Sequence, residues 1–147
     1  MHNVKNIIFD FGGVIVNLDR DRCVSAFQSI NAAEISRYVD NCIQKDLFHD
    51  FEIGKISVEE FCDKVREKSS SCKCSDAEII AAWASLLVDV PTERLRIIQA
   101  LKKKYRVFLL SNTNEIHWKM AEEQYFTQVE GIKVDDYFEK KYMGIYK

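Results

Sequence analysis

The chain has 147 residues, of which 47% are hydrophobic and 30% charged, enough for one core or one core with an appendage and too few for a large multidomain protein. An aromatic content of 12% and a net charge of −2 exclude a disordered tail and the basic stripe that general nucleic-acid binding requires. Five glycines and one proline are far below ordinary usage, which excludes collagenous and turn-rich all-β classes and points to a mostly helical chain.

The first element is a buried strand over residues 4–10, VKNIIFD, ended by Gly12-Gly13. Its apolar run is broken by Asp10 and is far too short to span a membrane. Helices follow over 20–30 and 32–44. Ser57-x-x-Glu60 and Ser75-x-x-Glu78 are capping boxes, each opening a helix with an apolar stripe: Val58, Phe61, Cys62 and Val65, then Ile79, Ala82, Trp83 and Leu86. After Pro91 a helix turns Leu95, Ile98 and Leu101 inward and ends on Lys102-Lys103-Lys104, where cations suit the helix dipole. RVFLLS, residues 106–111, is a second buried strand, and a helix over 114–126 follows it. Strand, helices, strand, helix implies a parallel, Rossmann-like α/β sheet with a helical insertion. Ligands of such sheets bind at the carboxyl ends of the strands.

The cysteines, Cys23, Cys42, Cys62, Cys72 and Cys74, are odd in number and form no regular framework, which reads as reduced thiols in a cytoplasmic protein. Cys72-Lys73-Cys74 lacks the second ligand cluster of a structural zinc site.

Two groups at the strand ends could carry chemistry. Asp10, before the turn Phe11-Gly12-Gly13, is either a carboxylate placed to bind a cation or attack an electrophile, or an Asx-type turn that only ends the strand. Ser111-Asn112-Thr113-Asn114 is either an anion cradle of hydroxyl and amides or a capped turn with Asn114 as N-cap. Both together, on adjacent strands, describe phosphoryl transfer.

IIFDFGGVIV and VFLLSNTN resemble the first two motifs of the haloacid dehalogenase-like hydrolase superfamily. They are most similar to its branch of bacterial α-D-glucose-1-phosphate phosphatase-like proteins, whose helical cap FEIGKISVEEF also resembles. The resemblance implies a core over 1–16 and 89–147 and a helical cap over 17–88. It implies a Mg²⁺-dependent phosphatase acting on a small phosphomonoester, such as a sugar phosphate, with neither nucleic acid nor membrane as partner. Asp10 would attack phosphorus to give an aspartyl phosphate. Asp10 and the Gly12 carbonyl would hold Mg²⁺, Ser111 and Asn112 the phosphoryl oxygens, and Lys147, in GIYK, would match the motif lysine.

The sequence also departs from that pattern. Gly12 stands where most of these phosphatases carry a second aspartate as general acid and base. Lys141-Tyr142-Met143-Gly144 is shorter than the corresponding strand and loop, and the sequence reaches Lys147 before the family's fourth, acidic motif, which lies on a later strand. Asp135-Asp136 precedes the third strand and is expected on the surface. A fragment with its first strand at an exposed edge is therefore expected, with a catalytically inactive binding module as the alternative reading. A metal-free, halide-releasing relative fits DFGGV poorly. Phe48, His49 and Phe51 are candidates for packing or for recognition alike, whereas for His117 and Trp118 a core or surface role outweighs ligand binding.

Overall fold

Three parallel strands organise the computed structural model, which describes residues 3–40 and 47–144. They are β1 (Asn6–Phe9), β2 (Arg106–Ser111) and β3 (Lys140–Met143), in the order β1-β2-β3. Ile7 lies opposite Val107, and Leu109 opposite both Phe9 and Lys141. Between β1 and β2 the chain forms α1 (Arg20–Ser29), α2 (Ser36–Asp40), α3 (Leu47–Glu52), α4 (Val58–Lys68), α5 (Asp76–Ala84) and α6 (Thr92–Lys102). Between β2 and β3 it forms α7 (Glu115–Met120) and α8 (Val134–Tyr137). This is the expected α/β, Rossmann-like sheet with an inserted set of helices. No helix among the described residues is long and apolar enough to cross a membrane.

The period of two along each strand sorts the sheet into unlike faces. Val107, Leu109 and Met143 are buried together with Phe11, Leu95 and Phe126 in the sheet's core. On the other face Ile8, Leu110 and Tyr142 keep 62%, 55% and 46% of their surface exposed. The inserted helices have a core of their own, in which Phe51 stacks on Phe61 at 4.4 Å and Phe48 meets Trp83 at a tilt, 4.5 Å between ring centres. Both capping boxes form: Ser57 accepts from the Glu60 N–H at 3.1 Å and Ser75 from the Glu78 N–H at 3.3 Å, with each glutamate reaching back. Asp19 caps α1 in the same way, accepting from the Arg22 N–H.

The chain leaves the sheet and returns to it along paired segments. Asn17 donates its N–H to the Asp89 carbonyl and accepts from Val88, both at 2.9 Å, and the Asp19 N–H reaches the Leu86 carbonyl. The Asn17 side-chain amide also donates to the Asp89 carboxylate at 2.8 Å. Such pairing of the two crossings fixes where the helical layer sits on the sheet.

Several expectations need correction. β1 is shorter than 4–10, ending at Phe9, which frees Asp10 from the ladder. The helix expected over 32–44 is a 3₁₀ turn at Ala33–Ile35 followed by α2, and residues 41–46 lie outside the described residues. The helix over 114–126 widens into a π turn at Ala121–Tyr125, closed by the Phe126 N–H on the Ala121 carbonyl. One extra residue in that turn lets Trp118, Ala121, Tyr125 and Phe126 all face the core. Cys23 and Cys62 are free and buried, and Cys72 and Cys74 face each other across a tight turn, with Cα atoms 5.4 Å apart.

Candidate active site

Phe11 decides how the end of β1 is presented. Its ring is buried between Trp118, at 5.7 Å, and Phe126, at 6.2 Å, while its carbonyl accepts from the N–H groups of Ile15 and Val16 at 2.9 and 3.0 Å. Gly13, at φ 75°, takes the left-handed conformation that this turn needs and that side-chain-bearing residues rarely adopt. With Phe11 pinned inward, its neighbours Asp10 and Gly12 are left exposed. The Asp10 carboxylate accepts from the Phe11 N–H at 2.7 Å, which fixes its direction and leaves its remaining lone pairs open.

The end of β2 is built differently. Ser111 is buried, its carbonyl accepts from the Gly144 N–H at 3.1 Å, and its hydroxyl has no partner among the described residues. Asn114 caps α7, accepting from the His117 N–H at 3.0 Å, as expected of an N-cap. The His117 ring is held at both nitrogens. Nε2 lies 2.8 Å from the Trp83 carbonyl, which can only accept, so Nε2 carries the proton. Nδ1 then accepts from the Asn114 side-chain amide at 3.0 Å. Burial pushes the imidazole pKa down to about 4, against the raising effect of the Trp83 carbonyl, and keeps the ring neutral. Through this chain of bonds α5 of the helical layer is tied to the loop after β2.

The two strand ends line a single cavity of about 340 Å³. Asp10, Gly12, Ser111 and Asn112 form its sheet side, and Tyr38, Phe48, Glu52 and Trp83 come from the inserted helices, with Arg20 also on its lining. Lys147 lies outside the described residues. Asp135 and Asp136 are on the first turn of α8, where Asp136 accepts from the Lys133 N–H at 2.7 Å and Asp135 pairs with Lys141 at the surface, the placement expected for them. His49 is exposed, whereas Phe51 and Trp118 are core residues. Phe48 is both buried and part of the cavity wall.

Glu52 and Arg20 were not expected at this site. Glu52 ends α3, and burial alone raises its carboxyl pKa to about 7. The signal available in sequence was a carboxylate at the end of the half-apolar LFHDFE segment, but nothing local says what such a segment packs against. Among the described residues no three His, Cys, Asp or Glu gather as metal ligands. Asp10 and the Gly12 carbonyl offer only hard oxygen donors, a set that suits Mg²⁺, which binds through one or two carboxylates and completes its shell with phosphate oxygens and water.

The chain superposes on the crystal structure of a HAD family enzyme from Bacteroides thetaiotaomicron, in complex with magnesium and inorganic phosphate, with a TM-score of 0.89 and 42% identity over 97% of this chain and 70% of that one. It is also 36% identical over 141 residues to a D-ribitol-5-phosphate phosphatase of Bacteroides thetaiotaomicron, covering 96% of this chain and 68% of that relative. The chain belongs to the haloacid dehalogenase-like (HAD) family of hydrolases. A HAD-like hydrolase from Porphyromonas gingivalis matches at a TM-score of 0.84 and 32% identity, over 97% of this chain and 67% of that one. No family model matches the chain.

In this HAD hydrolase Gly144 sits between the end of α3 and the loop after β2. A Cβ there would stand 3.0 Å from the Glu52 backbone carbonyl and 3.5 Å from the Asn112 Oδ1. Backbone cannot swing away as a side chain can, so Gly144→Ala should force α3 and the loop apart. The expected result is a loss of about 1–3 kcal/mol in a urea titration, the usual cost of overpacking. An unchanged midpoint would show that the end of α3 yields freely.

Proposed function

We propose that this HAD hydrolase is a Mg²⁺-dependent phosphatase that cleaves a small phosphomonoester, a sugar or polyol phosphate, through an aspartyl phosphate. The observation that carries the reading is the convergence of Asp10, Gly12, Ser111 and Asn112 from adjacent parallel strands on one cavity. In this reading the Asp10 carboxylate attacks phosphorus, oriented by the Phe11 N–H that it already accepts. The Ser111 hydroxyl and the Asn112 N–H hold the phosphoryl oxygens and stabilise the charge that spreads over them in the transition state. Asp10 and the Gly12 carbonyl would hold Mg²⁺, which when bound neutralises phosphate charge. Lys147 is assigned a second positive charge near the phosphate from its motif.

Residues 1–16 and 89–147 are assigned to the catalytic core and 17–88 to a cap that closes over the leaving group. The relative named for D-ribitol 5-phosphate supports a polyol phosphate as the substrate class. A near-neutral surface argues against nucleic acid as partner, and the buried thiols Cys23 and Cys62 fit a cytoplasmic location.

Metal removal tests the reading. Phosphate release from a panel of sugar and polyol phosphates should fall at least about 100-fold in EDTA, since Lewis-acid stabilisation contributes several kcal/mol. Excess Mg²⁺ should restore it. Turnover indifferent to EDTA would overturn the proposal.

A further inference from the structure

An alkoxide is a poor leaving group, so cleavage of a sugar or polyol phosphate calls for a proton donor at the bridging oxygen. The position two residues after the nucleophile is Gly12, which has no side chain to supply one. We propose that Glu52, reaching the cavity from the helical layer, is the general acid that protonates the leaving-group oxygen and the general base that activates water in the second step. This rests on the phosphatase reading above.

Three observations place Glu52 there. It lines the same cavity as Asp10 and Ser111, on the side contributed by the helices that carry Tyr38 and Trp83. Its backbone and the loop after β2 flank Gly144, since the Glu52 carbonyl and Asn112 both lie within 4 Å of the place a Gly144 Cβ would take. Its carboxyl has no hydrogen-bond or ion-pair partner among the described residues, and burial holds it up to about 7, so the acid form is populated at neutral pH.

The other groups around the cavity are unsuited to the task. Both nitrogens of His117 are engaged, by Trp83 and Asn114. Arg20 and Tyr38 bring a guanidinium and a phenol to the cavity rather than a carboxyl or an imidazole. Asp10 is the nucleophile. The neighbouring charges on the chain around α3, Asp50 and Lys55, neutralise each other at 3.1 Å.

The steps balance. An Asp10 oxygen forms a bond to phosphorus as the P–O bond to the alcohol breaks, and the departing oxygen takes the Glu52 proton with that bond's electron pair. The products are the free alcohol, an aspartyl phosphate and a Glu52 carboxylate. That carboxylate then takes a proton from water as the water oxygen bonds to phosphorus, and the P–O bond to Asp10 breaks. Phosphate leaves, and Asp10 and Glu52 return to their starting states.

Dependence on the leaving group separates this role from a structural one. Single-turnover transfer of ³²P to the enzyme would be followed by rapid quench with Mg²⁺ present, using ribitol 5-phosphate and 4-nitrophenyl phosphate, whose phenolate leaves without a proton. In Glu52→Gln, labelling by ribitol 5-phosphate should fall about 100-fold or more, while labelling by the aryl ester changes less than about threefold. The aryl ester should then give a burst of nitrophenolate with slow turnover, because the base of the second step is gone. Glu52→Asp should recover part of the lost rate. In the wild type, labelling by ribitol 5-phosphate should decline as pH rises through about 7, and in Glu52→Gln this limb should vanish. Equal losses with both esters, or none with either, would overturn Glu52 as the acid while leaving the phosphatase reading intact. Absence of label on the wild type from either ester would overturn that reading, and this proposal with it.

Discussion

Asp10→Asn should abolish phosphate release, lowering kcat by at least about three orders of magnitude, because losing a nucleophile removes the whole covalent route and such losses run to about 10⁶. An amide oxygen attacks phosphorus far more weakly than a carboxylate. The substitution is otherwise mild. An Asn Oδ1 still accepts from the Phe11 N–H, and the turn is held by the buried Phe11 ring and the Gly13 conformation rather than by charge. Asp10 is exposed, so stability should stay within about 0.5 kcal/mol of the wild type. Phosphate release and a thermal melt on the same preparation separate the two effects. Activity within tenfold of the wild type would remove Asp10 from the nucleophile's role, whereas loss of activity with a collapsed melt would point to the turn instead.

The parts of the fold readable in sequence are those governed by local rules. RVFLLS is a strand because an apolar β-rich run of six residues, ended by polar turn formers, has no other way to bury itself, and β2 matches it residue for residue. The capping boxes at Ser57 and Ser75 depend on a glutamate three residues after the serine, and both form. Strand-end residues were expected near one another because parallel topology gathers carboxyl ends, and the cavity collects Asp10 and Ser111. What escaped depends on contacts between distant segments. Glu52 belongs to the cavity only because α3 packs beside Gly144, and His117 only because the Trp83 carbonyl, 34 residues earlier, meets its ring. Neither relation leaves a periodic trace. The π turn after α7 escaped for a similar reason, because helical periodicity alone does not say that both Tyr125 and Phe126 must be buried.

The tether at His117 carries the largest expected pH effect on stability. In the unfolded chain its imidazole titrates near 6.5, and in the folded protein it is pushed down to about 4 by burial. The unfolded state therefore takes up a proton at a higher pH than the folded state does. Stability is full above pH 6.5 and is lost as the pH falls from 6.5 toward 4, by up to about 3 kcal/mol, at about 1.4 kcal/mol per unit of pKa difference. Protonation would also put a donor at Nδ1 against the Asn114 amide, which donates there now, so the cap of α7 and the link to α5 should fail together. Glu52 acts in the opposite sense. Its folded pKa, raised to about 7 by burial, makes stability rise as the pH falls from about 7 to its ordinary value of 4.5. The two shifts are of similar size and opposite sign, so the two groups largely offset each other over the window they share. Urea midpoints between pH 7.5 and 4 should therefore stay nearly level in the wild type and fall in Glu52→Gln. In His117→Gln they should start lower at pH 7.5, because the tether is weakened, but lose the histidine's share of the acid slope. If His117→Gln kept the wild-type slope, acid sensitivity would have to arise elsewhere, and the neutral imidazole would not be what ties the helical layer to the loop after β2.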